Sequence, residues 1–188
     1  MNAPQDYRGL LLAELIGAPV SSEQMRDPLR PVFASLLTGR FLNQGVLTAT
    51  LGLPLQSFQT LCQRYFPLAR IQMEDGPRAD LAEFEDLVQL LLQYRAGKSE
   101  SEVWLAQIVA HGCGGSDHLW QDLGLGNRSE LSLLMNTAFP ALAALNTGDM
   151  KWKKFIYRHY CAREAIYVCP APSCGACSDF RNCFSPEE

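Results

Sequence analysis

No stretch of this sequence approaches the roughly eighteen consecutive apolar residues that a helix needs to cross a bilayer. A helical membrane protein is therefore excluded. The first residues also lack a basic segment, and the apolar run LLLAELIGA (10–18) is broken by Glu14 and carries no cleavage signature, so it does not read as a secretory signal. An excess of positive charge is missing as well. Lys and Arg number 16 against 20 Asp and Glu, a net charge of -4, which argues against nucleic-acid binding. No alternation of apolar and polar residues is long enough for a convincing strand. The glycines of AHGCGGSDH (110–118) lack the Lys-Ser/Thr of a phosphate loop, and G-L-G (124–126) follows no strand, so no nucleotide is implied. Neither a catalytic triad nor a paired-carboxylate site can be assembled, and the chain is not expected to be an enzyme. Its expected compartment is the cytoplasm, where thiols stay reduced.

What is present is helical periodicity over 188 residues, 47% of them hydrophobic, enough for a core without cysteine staples. LAEFEDLVQLLLQYRAG (81–97) repeats its apolar residues at the spacing of one helical face. Asp80 with Glu83 forms a capping box before it, and Gly97 with Lys98 ends it. Ser99 with Glu102 opens a second helix and Asn127 with Glu130 a third, which runs to Phe139-Pro140. A short helix is expected from Tyr7 to Ile16, followed by a polar connection. The fold class is all-α, divided into an N-terminal helical extension (1–29), a helical body (30–148) and a basic helix with a cysteine-rich tail (149–188).

The body reads as two similar helical repeats. LTATLGLPLQSFQTLCQRYFPLA (47–69) and LWQDLGLGNRSELSLLMNTAFPALA (119–143) share L-x-x-x-L-G-L, an amphipathic helix and then Phe-Pro. The offset is 72 residues at Leu51/Leu123 and 73 at Phe66/Phe139, and RPVFASLLTG (30–39) falls opposite EVWLAQIVAH (102–111). Third helices are expected at 81–96 and about 149–164.

Of seven cysteines, four crowd into CPAPSCGACSDFRNC (169–183), spaced C-x4-C-x2-C-x5-C at Cys169, Cys174, Cys177 and Cys183. An odd total fits a disulfide framework poorly, and a tight cluster in a reducing compartment reads first as a metal site. From residue 169 onward only Ala171, Ala176, Phe180 and Phe184 could pack, too little to offset the entropy of ordering the segment. Pro170, Pro172 and Gly175 bend the chain and turn its thiols toward a common centre. Metal binding would then supply the folding free energy. Four thiolates suit tetrahedral zinc, but zinc sites usually pair two C-x2-C knuckles across a dozen or more residues. One crowded loop suits the separated corners of an iron–sulfur cluster better. The spacing favours the cluster and leaves zinc as the alternative.

Other residues compete for a role. KWKKFIYRHYCAR (151–163) should turn Trp152, Phe155, Ile156, His159 and Tyr160 toward the body. Lys151, Lys153, Lys154, Arg158 and Arg163 would then flank the approach to the cysteines, either as a solvated face or to offset an anionic cluster or dock an acidic partner. Cys161 offers an auxiliary ligand but reads better as a buried helix cysteine, and Cys62 as core. His111, Cys113 and His118 could supply ligands, yet a packing role is favoured.

The cysteine spacing, together with MKWKKFIYRHYC (150–161), DHLWQDLGL (117–125) and the Cys183-Phe184 pair that closes the cluster, resembles the NifQ family of nitrogen fixation from about residue 30 onward. The resemblance implies a molybdenum–iron–sulfur cluster held by Cys169, Cys174, Cys177 and Cys183. It also implies donation of molybdenum to the iron–molybdenum cofactor of nitrogenase, with the scaffold NifEN and the reductase NifH as partners.

Overall fold

RPVFASLLTG and VWLAQIVAHG carry so few charges that helices made from them belong in the interior. The computed structural model describes residues 3–71 and 81–163, and there these stretches form α3 (Arg30–Phe41) and α6 (Ser101–Cys113), each buried around most of its circumference. The other helices are α1 (Ala3–Gly17), α2 (Ser22–Arg26), α4 (Leu55–Tyr65), α5 (Phe84–Gln93), α7 (Leu119–Asp122), α8 (Arg128–Ala138), α9 (Pro140–Leu145) and α10 (Trp152–Arg163). The described residues contain no strand, as the all-α reading expects. No helix among them is long and apolar enough to cross a membrane.

Around this centre α1 packs along α3, α5 along α6, α7 against α6 and α8, and α10 against α5. One continuous apolar core runs from Leu15 of α1 to Ile156 of α10. The N-terminal extension and the basic helix are therefore built into the same core as the body. At its tightest point the backbones of Gly39 and Gly124 meet, and a Cβ on Gly39 would fall on the Gly124 carbonyl. Gly124 itself adopts φ 67, a left-handed conformation that suits glycine.

Arg30, Glu102 and Tyr65 enter the core with partners, whereas Trp120 Nε1 is buried without one among the described residues. Arg30 is 3% exposed and faces the ends of two helices, donating to the carbonyls of Leu15 (3.0 Å), Ile16 (2.8 Å), Ala18 (3.1 Å) and Tyr65 (3.3 Å). Carbonyls at helix C-termini carry the negative end of the macrodipole and stabilise this buried cation. Buried Glu102 accepts from the backbone N–H groups of Gly97 (2.7 Å), Lys98 (3.0 Å) and Ser99 (3.1 Å). The Tyr65 hydroxyl donates to Asp27 Oδ2 at 2.8 Å and accepts from Ser101 Oγ at 2.9 Å.

The structure does not establish the expected repeats, since shared details stand beside differences. Both halves run from a central helix to an amphipathic one, and Phe66 and Phe139 close α4 and α8 with nearly the same backbone, φ -141 and -131 at ψ 53. The L-G-L elbows differ: Leu51 is left-handed at φ 56, whereas Leu123 stays right-handed at φ -79. A further difference follows the Phe-Pro pair, where Pro140 opens α9 but Pro67 starts only a turn.

Candidate metal centre and the helix that leads to it

Cys169, Cys174, Cys177 and Cys183 lie outside the described residues, and so do Asp80 and the loop 72–80. The structure does show how the chain is held just before the cysteines. Asn146 clamps the preceding turn, its Oδ1 accepting from Met150 N–H and its Nδ2 donating to Met150 O, both at 2.9 Å. Arg128 donates to Asp149 Oδ1 at 3.0 Å beside it. The helix that follows, α10, buries Trp152, Phe155 and Ile156, as its periodicity requires. Trp152 and Phe155 meet edge to face with centroids 6.0 Å apart, and Phe155 stacks on His159 at the same separation. His159 Nε2 lies 2.8 Å from the Tyr94 hydroxyl, and Tyr160 donates to Asp86 Oδ2 at 3.1 Å. Both contacts tie α10 to α5.

The basic residues of α10 separate into two kinds. Lys154 and Arg158 are exposed and Lys151 is half-buried. Lys153 turns inward instead, where it pairs with the buried carboxylate of Asp122 and donates to the carbonyls of Gly115 (3.0 Å) and Asp117 (2.8 Å). The expectation that all these charges flank the approach to the cysteines is corrected for Lys153. Its partner Asp122 sits inside the quoted DHLWQDLGL, but a lone Asp beside apolar residues gives no sign of a pairing 31 residues away.

The remaining thiols are structural. Cys62, Cys113 and Cys161 are all buried and free. Burial pushes the Cys62 thiol up to about 12 against the opposing charge of Arg40, and the Cys113 thiol up to about 12 against that of Lys153. Burial and then the charge of Glu83 push Cys161 up as well. Thiols held protonated are poor metal ligands and poor nucleophiles. His111 is also buried, and its burial lowers its basicity against a backbone hydrogen bond with Val46. His118 caps α7, its backbone N–H donating to Gln121 Oε1 at 3.2 Å. His111, Cys113 and His118 are not brought together: among the described residues no three His, Cys, Asp or Glu side chains could hold a metal ion.

Fold and sequence thus define an all-helical protein whose last described helix is anchored to the body and leads directly into a four-cysteine segment. A profile of the NifQ family matches residues 32–185, a span that encloses α10 and all four cysteines. Protein NifQ of Azotobacter vinelandii is 40% identical over 152 residues, covering 73% of this chain and 78% of the relative. Protein NifQ of Rhodobacter capsulatus is 38% identical over 144 residues, covering 76% and 80%. A protein NifQ homolog of Sinorhizobium fredii is 39% identical over 166 residues, covering 84% and 72%. No solved structure matches the chain. The chain belongs to the NifQ family.

Proposed function

We propose that this chain serves nitrogen fixation as a carrier, holding a molybdenum–iron–sulfur cluster on Cys169, Cys174, Cys177 and Cys183 and giving up its molybdenum for the iron–molybdenum cofactor of nitrogenase. The observation that carries the reading is family membership over a span that includes all four cysteines. Chemistry supports it in two ways. Thiolates suit iron and reduced, thiophilic molybdenum. The body keeps its own three described thiols buried and protonated, so they do not compete for the metal. In this reading the chain performs no catalysis. Its partners are the scaffold NifEN, the reductase NifH and a molybdate source, and its site of action is the cytoplasm.

The test begins with anaerobic purification and measurement of iron, molybdenum, zinc and acid-labile sulfide. Brown protein containing iron, sulfide and molybdenum is expected, and colourless protein holding zinc alone rejects the reading. The loaded protein is then mixed with scaffold and reductase, and molybdenum is followed onto the scaffold. Retention of molybdenum while cofactor forms normally without it rejects the donor role.

A further inference from the structure

The connection between α6 and α7 closes around an ammonium group. Lys153 Nζ of α10 pairs with Asp122 Oδ2 and donates to the carbonyls of Gly115 at 3.0 Å and Asp117 at 2.8 Å. A lysine ammonium has three N–H donors and no acceptor, and here three oxygens from separate residues meet it. The Asp122 side chain is 2% exposed and that of Lys153 19%, so solvent and salt screen the contact little. The second carboxylate oxygen, Asp122 Oδ1, takes the Asp117 N–H at 3.4 Å and ties the carboxylate to the loop that supplies the carbonyls.

The oxygens are held by contacts in which α10 takes no part. Gly114 N–H donates to His111 O at 3.1 Å and Gly115 N–H to Gly112 O at 3.2 Å, which carries the loop out of α6 in a fixed course. Gly115 lies so close to Asp122 that a Cβ there would fall 2.3 Å from the carboxylate. Asp122 N–H donates to His118 O at 3.0 Å, and Asp122 O accepts from Val46 N–H at 2.8 Å, so the residue is fixed from both sides. Acceptors already in place need little further ordering when a cation arrives, which favours its binding.

From this arrangement we infer that Gly115, Asp117 and Asp122 form a socket for a primary ammonium, and that Lys153 is a positioning residue. Seated in the socket, it sets where α10 begins and thereby where the chain enters its cysteine segment. Trp152, Phe155 and Ile156 also hold α10, but burial of apolar surface has no direction, whereas hydrogen bonds from one nitrogen to three oxygens fix a point. A guanidinium, with its donors in a planar fork, does not match oxygens gathered round a single atom. A quaternary ammonium has the charge without the donors. The role toward the cysteines rests on the proposed function above; the socket does not.

Lys153→Ala removes the atoms of n-propylammonium, and that ion is the probe. Amide hydrogen exchange across α10 and retention of iron against a chelator are both read on the anaerobically purified full chain. Exchange about tenfold or more faster than in the wild type is expected in the variant. It should return saturably toward the wild-type rate with n-propylammonium, but not with tetramethylammonium at the same concentration. The variant should also lose iron faster, and n-propylammonium should slow that loss. Lys153→Arg should exchange at a rate between those of the variant and the wild type. No rescue by n-propylammonium, equal rescue by tetramethylammonium, or wild-type exchange in Lys153→Arg overturns the socket. If Lys153→Ala unfolds in plain buffer, its helical signal should recover in n-propylammonium alone, and recovery in neither ion overturns the socket. Iron lost at the wild-type rate despite faster exchange in α10 overturns the positioning role. Zinc-only protein whose α10 responds to n-propylammonium keeps the socket and rejects the proposed function. Protein holding a molybdenum–iron–sulfur cluster whose α10 ignores the ion does the reverse.

Discussion

Lys153 of α10 is ion-paired with Asp122 of α7, whose side chain is only 2% exposed. This contact fastens the helix before the cysteines to the short helix that joins α6 to α8. Removing one partner of such a pair leaves the other charge uncompensated, at a cost of about 3 kcal/mol. Lys153→Met is therefore expected to lower the denaturation midpoint clearly. Lys153→Met with Asp122→Leu should recover most of the loss, because a matched apolar pair strands no charge. Urea titrations of the two variants decide it, and equal losses in both would mean that the pair contributes packing alone.

Lys154 and Arg158 are expected to behave differently. Both are exposed, so changing them to Gln should alter stability by less than about 0.5 kcal/mol. If their charges attract molybdate or dock an acidic partner, the double variant slows molybdenum loading or transfer at low salt. The defect shrinks as salt rises, because exposed charges are screened over about 10 Å at 0.1 M ionic strength. Transfer at the wild-type rate at low salt would mark them as a solvated face.

Arg30 replaces a helix cap that no short polar residue could supply. Substituting Met removes this donor from the buried carbonyls of Leu15 and Tyr65 and from the part-buried ones of Ile16 and Ala18. A loss of about 3 kcal/mol or more is expected, since unsatisfied buried groups cost about 1–3 kcal/mol each. Arg30→Lys keeps the charge but not the planar fork, and should fall between. Limited proteolysis adds a local readout: α1 should be cleaved faster in the Met variant than in the wild type.

The sequence made the long, periodic helices legible and hid the short ones. Asn127 caps α8 as expected, accepting from Glu130 N–H at 3.0 Å, but Glu130 reaches Gly126 N–H instead of closing the box. The Ser99–Glu102 pair also forms half a box, with Ser99 Oγ accepting from Ser101 N–H. Helix α5 is shorter than the expected 81–96. Residues 81–83 enter through a turn, and after Gln93 the chain leaves so that Ala96 N–H can donate to Ala138 O at 2.9 Å. That contact is between segments far apart in sequence, and periodicity cannot see it. Helix α2 buries no residue and left no apolar pattern, although Ser21 and Gln24 form a complete capping box. Pro140 reads as a stop for α8, which it is, yet it also starts α9, since proline suits the first helical turn.

Stability should fall on both sides of neutrality. Cys62 and Cys113 have ordinary values of 9.0 and are pushed up to about 12 by burial in the folded state. Between pH 9 and 12 the unfolded chain loses these protons first, so each thiol removes about 1.4 kcal/mol of stability per pH unit across that window. His111 has the opposite charge type, and burial lowers it from 6.5. Its contribution is complete above pH 6.5 and is lost as pH falls, because the unfolded chain takes up the proton first. Urea midpoints from pH 5 to 11 check both limbs. Cys113→Ala should flatten the alkaline limb and leave the acid limb unchanged.

The cysteines of the tail and those of the body should respond oppositely to serine. Serine at Cys169, Cys174, Cys177 or Cys183 is expected to cut iron and molybdenum content sharply, because a hard alkoxide is a poor substitute for thiolate on iron. The helical body should keep its melting transition, since α10 is anchored by contacts that precede the tail. Serine at Cys62 or Cys113 should do the reverse, placing a hydroxyl in an apolar core and lowering stability by about 1–3 kcal/mol with the cluster retained. Cys161 is the informative case, since it lies on the last turn of α10, eight residues before the first tail cysteine. Its burial and raised thiol place it with the body. Metal analysis of Cys161→Ser checks that assignment, and a loss of iron equal to that in Cys169→Ser would make Cys161 a ligand and move the cluster onto the end of α10.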